Sequence, residues 1–195
     1  MKSAIVGIGG MGTSVLNDYI EAFGENSRDG VRTITINRSQ KSLESSKAEY
    51  KMGIVVPNDC SVADGNVSPT YWLKLVEIYE EQIHELLSNS ERVIVVAGLG
   101  GLAGSYTCPY VAKIAKNLGA QVKAIVTTPM VFEGKRRYEV AEAALTDLRA
   151  FSDDVKVISG EELLASAGPD DETSNFFSRT DEVIAHFVYE LVVSE

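Results

Sequence analysis

The segment that decides the fold is AIVGIGGMGTS, residues 4–14. A short apolar, β-branched run leads into Gly7, Gly9 and Gly12, which have the spacing G-x-G-x-x-G. This spacing is typical of a dinucleotide-binding unit, in which glycines let the backbone approach a pyrophosphate at a helix N-terminus. A second glycine cluster, VAGLGGLAGSY at residues 96–106, also lies between a predicted strand and a predicted helix. A dinucleotide-binding fold needs one such loop, so the presence of two raises the question of a different phosphate ligand.

The rest of the chain alternates short apolar runs with helical periodicity. Strands are predicted at residues 3–8, 32–37, 53–56, 92–98, 121–127 and 155–159. Helices are predicted at 11–23, 70–88, 106–118, 134–151 and about 175–193. This alternation predicts an α/β fold with a doubly wound, mainly parallel six-stranded sheet, in a single domain spanning residues 1–195. Such a sheet gathers the carboxyl ends of its strands, and therefore both glycine loops, along one edge.

Composition limits the partners and the location. The formal net charge of −10 repels a phosphate backbone, so we expect no nucleic-acid partner. No run reaches the ~18 apolar residues of a membrane span, and the N-terminus lacks the pattern of a signal peptide. Cys60 and Cys108 do not form a C-x-x-C motif and are expected to be reduced thiols. These features predict a cytoplasmic protein.

The dinucleotide reading makes a further demand that this chain does not meet. An acidic residue should end the second strand and bind the ribose, but TITIN ends in Asn37 and continues with Arg38. An arginine there suits a 2′-phosphate, so an NAD(P)-dependent oxidoreductase remains an alternative. Two glycine loops on neighbouring inner strands instead predict a polyphosphate pocket enclosed from two sides. The competing interpretation is that both loops are tight turns packed against the sheet.

Several stretches resemble the GTPase domain of FtsZ, the bacterial relative of tubulin. The most specific is VTTPMVFEGKRR, residues 126–137, which is similar to the family pattern V-T-x-P-F-x-F-E-G-x-x-R. TITINRSQKSL (33–43) is similar to V-N-T-D-x-Q-x-L, and FFSRTDEVIAHFVYELV (176–192) to the helix F-x-x-x-N-D-x-L. The first glycine loop is similar to the first FtsZ phosphate loop. The resemblance covers essentially the whole chain and implies a Rossmann-like tubulin/FtsZ GTPase domain.

The resemblance also implies a ligand, GTP or GDP with a nucleotide-bound Mg²⁺, and a set of contacts. It places the α- and β-phosphates near Gly9, Gly10, Gly12 and Thr13, and the β- and γ-phosphates near Gly100, Gly101, Gly104 and Ser105. It places the rest of the nucleotide near Asn37, Glu133, Arg137, Phe176 and Asp181. The carboxylate of Asp181 suits guanine because the N1–H and the amino group are both donors.

Each of these assignments has a structural alternative. Glu133 and Arg137, at i and i+4, also fit an ordinary surface ion pair. Phe176 fits a core position, Asp181 a solvated helix position, and Asn37 a turn at a strand end. No His, Cys or carboxylate cluster has the spacing of metal ligands, so a nucleotide-bound Mg²⁺ would be held mostly by phosphate and water.

The second glycine loop departs from the family pattern. Where FtsZ has G-G-G-T-G-T-G, this chain has Leu102 for the third glycine, Ala103 for the first threonine and Tyr106 for the last glycine. Losing a hydroxyl that bonds a charged phosphate costs roughly 1.5–3 kcal/mol. A positive φ at Leu102 or Tyr106 would add roughly 1–2 kcal/mol each. We therefore expect weak nucleotide binding or an altered phosphate preference.

The resemblance implies a role in assembly as well. In FtsZ and tubulin the long last helix leads into an acidic loop that completes hydrolysis on the next subunit, and then into a second domain. The sequence ends at Glu195 without either feature, which leaves hydrolysis doubtful. We therefore expect a non-hydrolysing regulator or cap of an FtsZ-like polymer in cell division or the cytoskeleton, because head-to-tail growth needs two faces. The alternative is a stand-alone nucleotide-binding module.

Overall fold

The computed structural model describes residues 1–24, 30–57, 67–166 and 173–194, with no side chains described for 164–166 and 173–177. Its strands form one parallel sheet in the order β3-β2-β1-β4-β5-β6. They are β1 (Ser3–Ile8), β2 (Val31–Asn37), β3 (Tyr50–Gly53), β4 (Arg92–Gly98), β5 (Gln121–Thr127) and β6 (Asp154–Ile158). The predicted α/β, six-stranded sheet is confirmed. The strand order reverses between β1 and β4, the point at which open α/β sheets bind ligands.

Helices cover both faces of the sheet. They are α1 (Gly9–Phe23), α2 (Gln40–Ser45), α3 (Pro69–Ile78), α4 (Glu80–Leu87), α5 (Leu102–Asn117), α6 (Lys135–Phe151), α7 (Gly160–Ser166) and α8 (Thr173–Val193). On one face α1 and α8 bury Leu16 and Ile184 against Ile5 of the central strand. On the other face Trp72 and Leu148 belong to a second core cluster. Burial on both faces explains why the inner strands are continuous apolar runs.

The predicted third strand at 53–56 is wrong, because the strand is Tyr50–Gly53. It is an edge strand, paired only with Ile34–Asn37 of β2. Tyr50 and Lys51 are exposed on it, so it lacks the apolar run on which the prediction relied. The buried Ile54 continues the pairing, since its N–H bonds the Asn37 carbonyl at 3.0 Å. Edge strands carry such polar positions because one side faces solvent.

The predicted helix at 70–88 is two helices, α3 and α4, which meet at Tyr79. Tyr79 has φ −94° and ψ 7°, outside helical geometry, and its hydroxyl accepts a hydrogen bond from the Val55 N–H at 3.2 Å. Both helices bury residues at helical spacing, among them Trp72, Val76 and Ile83. The apolar pattern therefore continues across the break, and periodicity alone does not reveal it.

The helix predicted at 106–118 begins four residues earlier, at Leu102. The short helices α2 and α7 were not predicted, since neither is long enough to show a period. Among the described helices none is both long and apolar enough to cross a membrane. The single domain over 1–195 stays a prediction.

Candidate functional site

Two adjoining cavities open at the carboxyl edge of the sheet, beside the ends of β1 and β4. The arginine cavity, about 580 Å³, lies between the two glycine loops and is bordered by Arg38, Arg136 and Arg137. The carboxylate cavity, about 500 Å³, is lined by residues that include Ser14, Glu133, Thr180 and Asp181. Both cavities share Gly10, Met11, Gly98, Gly101 and Arg137. Together they form one continuous opening, and each volume falls within the usual ~300–1,000 Å³ of ligand pockets.

The glycines of the first loop serve two purposes. Gly7 and Gly12 permit close packing, because a Cβ on Gly7 would lie 2.3 Å from the Gly12 carbonyl oxygen and one on Gly12 would lie 2.3 Å from that of Val96. Gly9 has φ +72°, a conformation that L side chains rarely adopt. Gly10 faces open space and has no neighbour within 4 Å of its ideal Cβ position. The loop therefore brings α1 against the sheet and leaves Gly10 facing the cavities.

The second glycine loop repeats this arrangement. Gly104 packs α5 against β4, since a Cβ there would lie 2.0 Å from the Gly98 carbonyl oxygen. Gly100 has φ +92°, and its Cβ would meet the ring of Pro129 at 2.4 Å. Gly101 has nothing within 4 Å. Both predicted loops thus lie at one edge of the sheet, and Gly9 and Ala103 face each other across the gap, 3.7 Å between an ideal Cβ on Gly9 and the Ala103 Cβ.

Thr13 and Asn37 hold the first loop in place through hydrogen bonds. The Thr13 hydroxyl donates to the Gly9 carbonyl at 2.7 Å, and the Asn37 amide donates to the Thr13 hydroxyl at 3.1 Å. The Asn37 side-chain oxygen accepts from the Ser39 N–H at 3.0 Å. Gly12 and Thr13 are buried and line neither cavity, whereas Asn37 lines the arginine cavity. The Asn37 side chain therefore forms strand-end turn bonds and also borders the opening.

Ser105 closes the second loop in a different way. Its hydroxyl accepts a hydrogen bond from the Gly100 N–H at 2.8 Å. Ser105 is buried and lines neither cavity. The bond occupies a backbone donor of this loop, a kind of group that an anion would otherwise use.

Glu133 and Arg137 meet where the two cavities join. One Glu133 oxygen pairs with the Arg137 guanidinium, and the other accepts from the Met130 N–H at 2.9 Å. The side chain of Arg137 is 55% exposed, while that of Glu133 is 28% exposed. The pair is therefore an i, i+4 ion pair that also borders the opening, and the two predicted interpretations are compatible.

Asp181 is a buried residue in the lining of the carboxylate cavity. The pKa of its carboxyl group is raised to about 6, chiefly by burial and to a smaller extent by the nearby Asp18, while a hydrogen bond with Ser14 opposes the shift. Only 8% of Asp181 is exposed, so the structure does not support a freely solvated helix position. The predicted contact Phe176 lies outside the described side chains.

Sequence reasoning missed part of the cavity lining. It did not assign Ser14 or Arg136, and it considered Arg38 only for a 2′-phosphate. The available signal was position, since Arg38 follows Asn37 and Arg136 precedes Arg137. Leu102 and Tyr106 do not have the positive φ that would have strained the loop, because both are helical and the one non-glycine residue with positive φ in the described ranges is Asn89.

The described residues do not form a protein-held metal site. Within the described ranges no group of three or more His, Cys, Asp or Glu side chains is placed to hold a metal ion. The described lining of the arginine cavity contains no carboxylate. Mg²⁺ in proteins is usually bound through one or two carboxylates together with phosphates and water, so this donor set does not fit a protein-bound Mg²⁺.

Comparisons with known proteins agree with the fold described above. The model of the Tubulin/FtsZ family, GTPase domain, matches residues 2–168. The cell division protein FtsZ of Rickettsia bellii is 31% identical over 180 residues, covering 92% of this chain and 38% of that protein. The chain therefore spans less than half the length of this relative.

Solved structures agree as well. The empty FtsZ dimer of M. jannaschii matches with 30% identity and a TM-score of 0.81, over 98% of this chain and 54% of the other. CetZ from Methanosaeta thermophila has a TM-score of 0.82 at 18% identity, over 98% of this chain and 54% of its own, which shows a common fold. On the extent of the family match, this chain belongs to the Tubulin/FtsZ family, GTPase domain.

Proposed function

We propose that this chain binds a guanine nucleotide, GTP or GDP, across the two joined cavities. The observation that carries the proposal is a buried carboxylate, Asp181, in the carboxylate cavity, joined to the arginine cavity that both glycine loops border. Gly10, Gly101 and Arg137 line both cavities. In this arrangement the carboxylate accepts from the two donors of the guanine edge, and the loops and helix N-termini face the phosphates.

The proposed contacts to the nucleotide follow from the residues that line the two cavities. Gly9, Gly10, Gly100, Gly101 and Gly104 border the arginine cavity and are the proposed phosphate contacts. Glu133, Arg137 and Phe176 are the proposed contacts to the rest of the nucleotide. Gly12, Thr13, Asn37 and Ser105 act by holding the loops in position, as their packing and hydrogen bonds support.

The finer role that we propose is regulation or capping of an FtsZ-like polymer without hydrolysis. The R. bellii relative is a cell division protein and the M. jannaschii relative is a dimer of FtsZ, which supports assembly as the context. Ala103 offers no hydroxyl to a phosphate, and Leu102 and Tyr106 place bulk at the arginine cavity. These residues reduce the phosphate contacts of the second loop, which supports little turnover of a nucleotide bound mainly by the first loop.

A calorimetric titration with GTP, GDP, ATP and NADPH tests the nucleotide proposal. We expect binding of guanine nucleotides and a preference for GTP over ATP that Asp181→Ala abolishes. Asp147→Ala, on the exposed side of α6, is the matched control and should keep the preference. Tighter binding of NADPH than of GTP would instead favour the oxidoreductase alternative.

Light scattering tests the polymer role. The chain alone with GTP should not polymerise, and added at low stoichiometry to an FtsZ that does polymerise it should reduce filament growth. Robust polymerisation or multiple turnover of GTP by the chain alone would contradict a non-hydrolysing regulator. Nucleotide binding with no effect on any FtsZ polymer would favour the stand-alone module.

A further inference from the structure

Three guanidinium groups from two parts of the chain border the arginine cavity. Arg38 directly follows β2, and Arg136 and Arg137 lie in the first turn of α6. No aspartate or glutamate is among the described residues that line this cavity, and Glu133 of the adjoining cavity pairs with Arg137. A chain with a net charge of −10 thus concentrates positive charge where the two glycine loops meet.

Two of these arginines make no internal pair. Arg137 pairs with Glu133. Arg38 and Arg136 are exposed, and neither guanidinium has a hydrogen bond or ion pair to another residue in the described part of the chain. An anion that enters the cavity therefore meets two cations without first breaking an internal contact.

The position that is aspartate in the family motif is occupied by Ser39 in this chain. The motif V-N-T-D-x-Q-x-L has threonine and aspartate where this chain has Arg38 and Ser39. The Ser39 hydroxyl instead caps α2, since it accepts from the Ser42 N–H at 3.3 Å. Relative to the motif, the carboxylate is lost at position 39 and a guanidinium is gained at position 38. The local charge is therefore reversed from negative to positive.

We propose that Arg38 and Arg136 bind the phosphates of the nucleotide directly and make its binding independent of Mg²⁺. The proposal rests on the nucleotide-binding function proposed above. A guanidinium stays charged at neutral pH and offers a planar pair of donors that matches two phosphate oxygens. The two side chains supply the positive charge that a divalent cation would otherwise supply. The ligand class is a nucleoside di- or triphosphate that carries no metal ion.

Calorimetry of the full chain with GTP and with inorganic tripolyphosphate, each with Mg²⁺ or with EDTA, tests this proposal. We expect chelation to change the Kd of either ligand by less than about threefold. Arg38→Gln and Arg136→Gln should each weaken binding in EDTA by about tenfold, because each removes a hydrogen-bonded charge. Arg149→Gln, exposed on the same helix as Arg136 and outside both cavities, should bind as the unmodified chain does.

The outcomes separate this proposal from the nucleotide proposal. GTP binding that is kept with Mg²⁺ and lost in EDTA overturns the arginine proposal and leaves nucleotide binding intact. Tripolyphosphate binding in EDTA without GTP binding supports the arginines and overturns the guanine-nucleotide function. Binding of neither ligand overturns both, and equal affinities of Arg38→Gln, Arg136→Gln and Arg149→Gln overturn the role of the arginines.

Discussion

The two glycine loops place the same kinds of residue in the same order on neighbouring strands. Each has a glycine at positive φ, then a glycine facing open space, then a glycine packed against a strand, and one residue further a hydroxyl that bonds the loop. In chain order these are Gly9, Gly10, Gly12 and Thr13 in the first loop, and Gly100, Gly101, Gly104 and Ser105 in the second. The two loops therefore have the same backbone arrangement.

The loops differ in what they leave for a ligand. Thr13 bonds a carbonyl, a group of no use to an anion, whereas Ser105 bonds the Gly100 N–H, which is an anion-binding donor. Leu102 and Tyr106 of the second loop also line the cavity. The comparison shows that a loop can keep its fold while its ligand-facing groups change. We expect the first loop to contribute more to phosphate binding.

Substitution of the packed glycines should have the largest effect. A Cβ at Gly104 or Gly12 would lie 2.0 or 2.3 Å from a strand carbonyl oxygen. Gly104→Ala and Gly12→Ala must therefore displace a helix from the sheet. Each should lower the free energy of unfolding by about 3 kcal/mol in urea denaturation.

Gly101→Ala is the matched control, because nothing lies within 4 Å of its Cβ position and its φ is not positive. Its free energy of unfolding should stay within about 0.5 kcal/mol of the unmodified value, while its affinity for GTP falls. Equal destabilisation by Gly101→Ala and Gly104→Ala would break the distinction between ligand-facing and packed glycines.

The two loop hydroxyls should differ in their contribution to stability. Thr13→Val removes bonds to both Gly9 and Asn37, whereas Ser105→Ala removes the bond to Gly100. Because buried polar groups lose their hydrogen-bond partners, we expect the free energy of unfolding to fall by about 2 kcal/mol for Thr13→Val and by about 1 kcal/mol for Ser105→Ala. Thermal or urea unfolding measures both, and a larger loss for Ser105→Ala would reverse the comparison.

Acidification should weaken guanine-nucleotide binding through Asp181 in the carboxylate cavity. Burial raises the pKa of Asp181 to about 6, and the ionised carboxylate is the form that accepts from both guanine donors. Below pH 6 the affinity for GTP should fall by up to about tenfold per pH unit. Calorimetry with buffers between pH 5 and about 7.5 measures this slope.

Acidification has the opposite effect on the stability of the ligand-free fold, which rises as the pH falls. Because the folded-state pKa of Asp181 lies above its unfolded value, the fold binds more protons between about pH 4 and 6 and its stability falls as pH rises through that window. Asp181→Asn should remove both effects, whereas Asp147→Asn should keep them. A pH-independent affinity in the unmodified chain would contradict base recognition by this carboxylate.

Restoring a hydroxyl to the second loop should have the smallest effect. Ala103 faces Gly9 across the gap between the loops, so Ala103→Thr places a donor where the first loop also reaches the ligand. A typical net hydrogen bond of about 1 kcal/mol predicts roughly fivefold tighter GTP binding. Ala143→Thr, exposed on α6, is the control. Unchanged affinity in Ala103→Thr would show that this loop does not contact phosphate.

Much of the fold was predictable because inner parallel strands are apolar on both faces. The bounds of β1, β4 and β5 match the predictions residue for residue. The edge strand β3 was misplaced because solvent on one side makes its pattern mixed. The start of α5 was misplaced because the Leu102–Tyr106 stretch resembles loop sequence, although it is already helical.

The sequence by itself determined the strand-helix alternation, the two glycine loops and the family. Local composition and spacing are sufficient for the alternation and the loops, since these depend on backbone freedom and on apolar periodicity, whereas the family followed from the resemblance of motifs such as VTTPMVFEGKRR. Only the tertiary structure decided which loop glycines pack and which face the opening, because a Cβ clash depends on a strand that is distant in the chain. It likewise brought Arg38 and Arg136, nearly a hundred residues apart in the chain, to the border of one cavity, and it buried Asp181. Charge and burial at the site arise from contacts between elements that no local pattern contains.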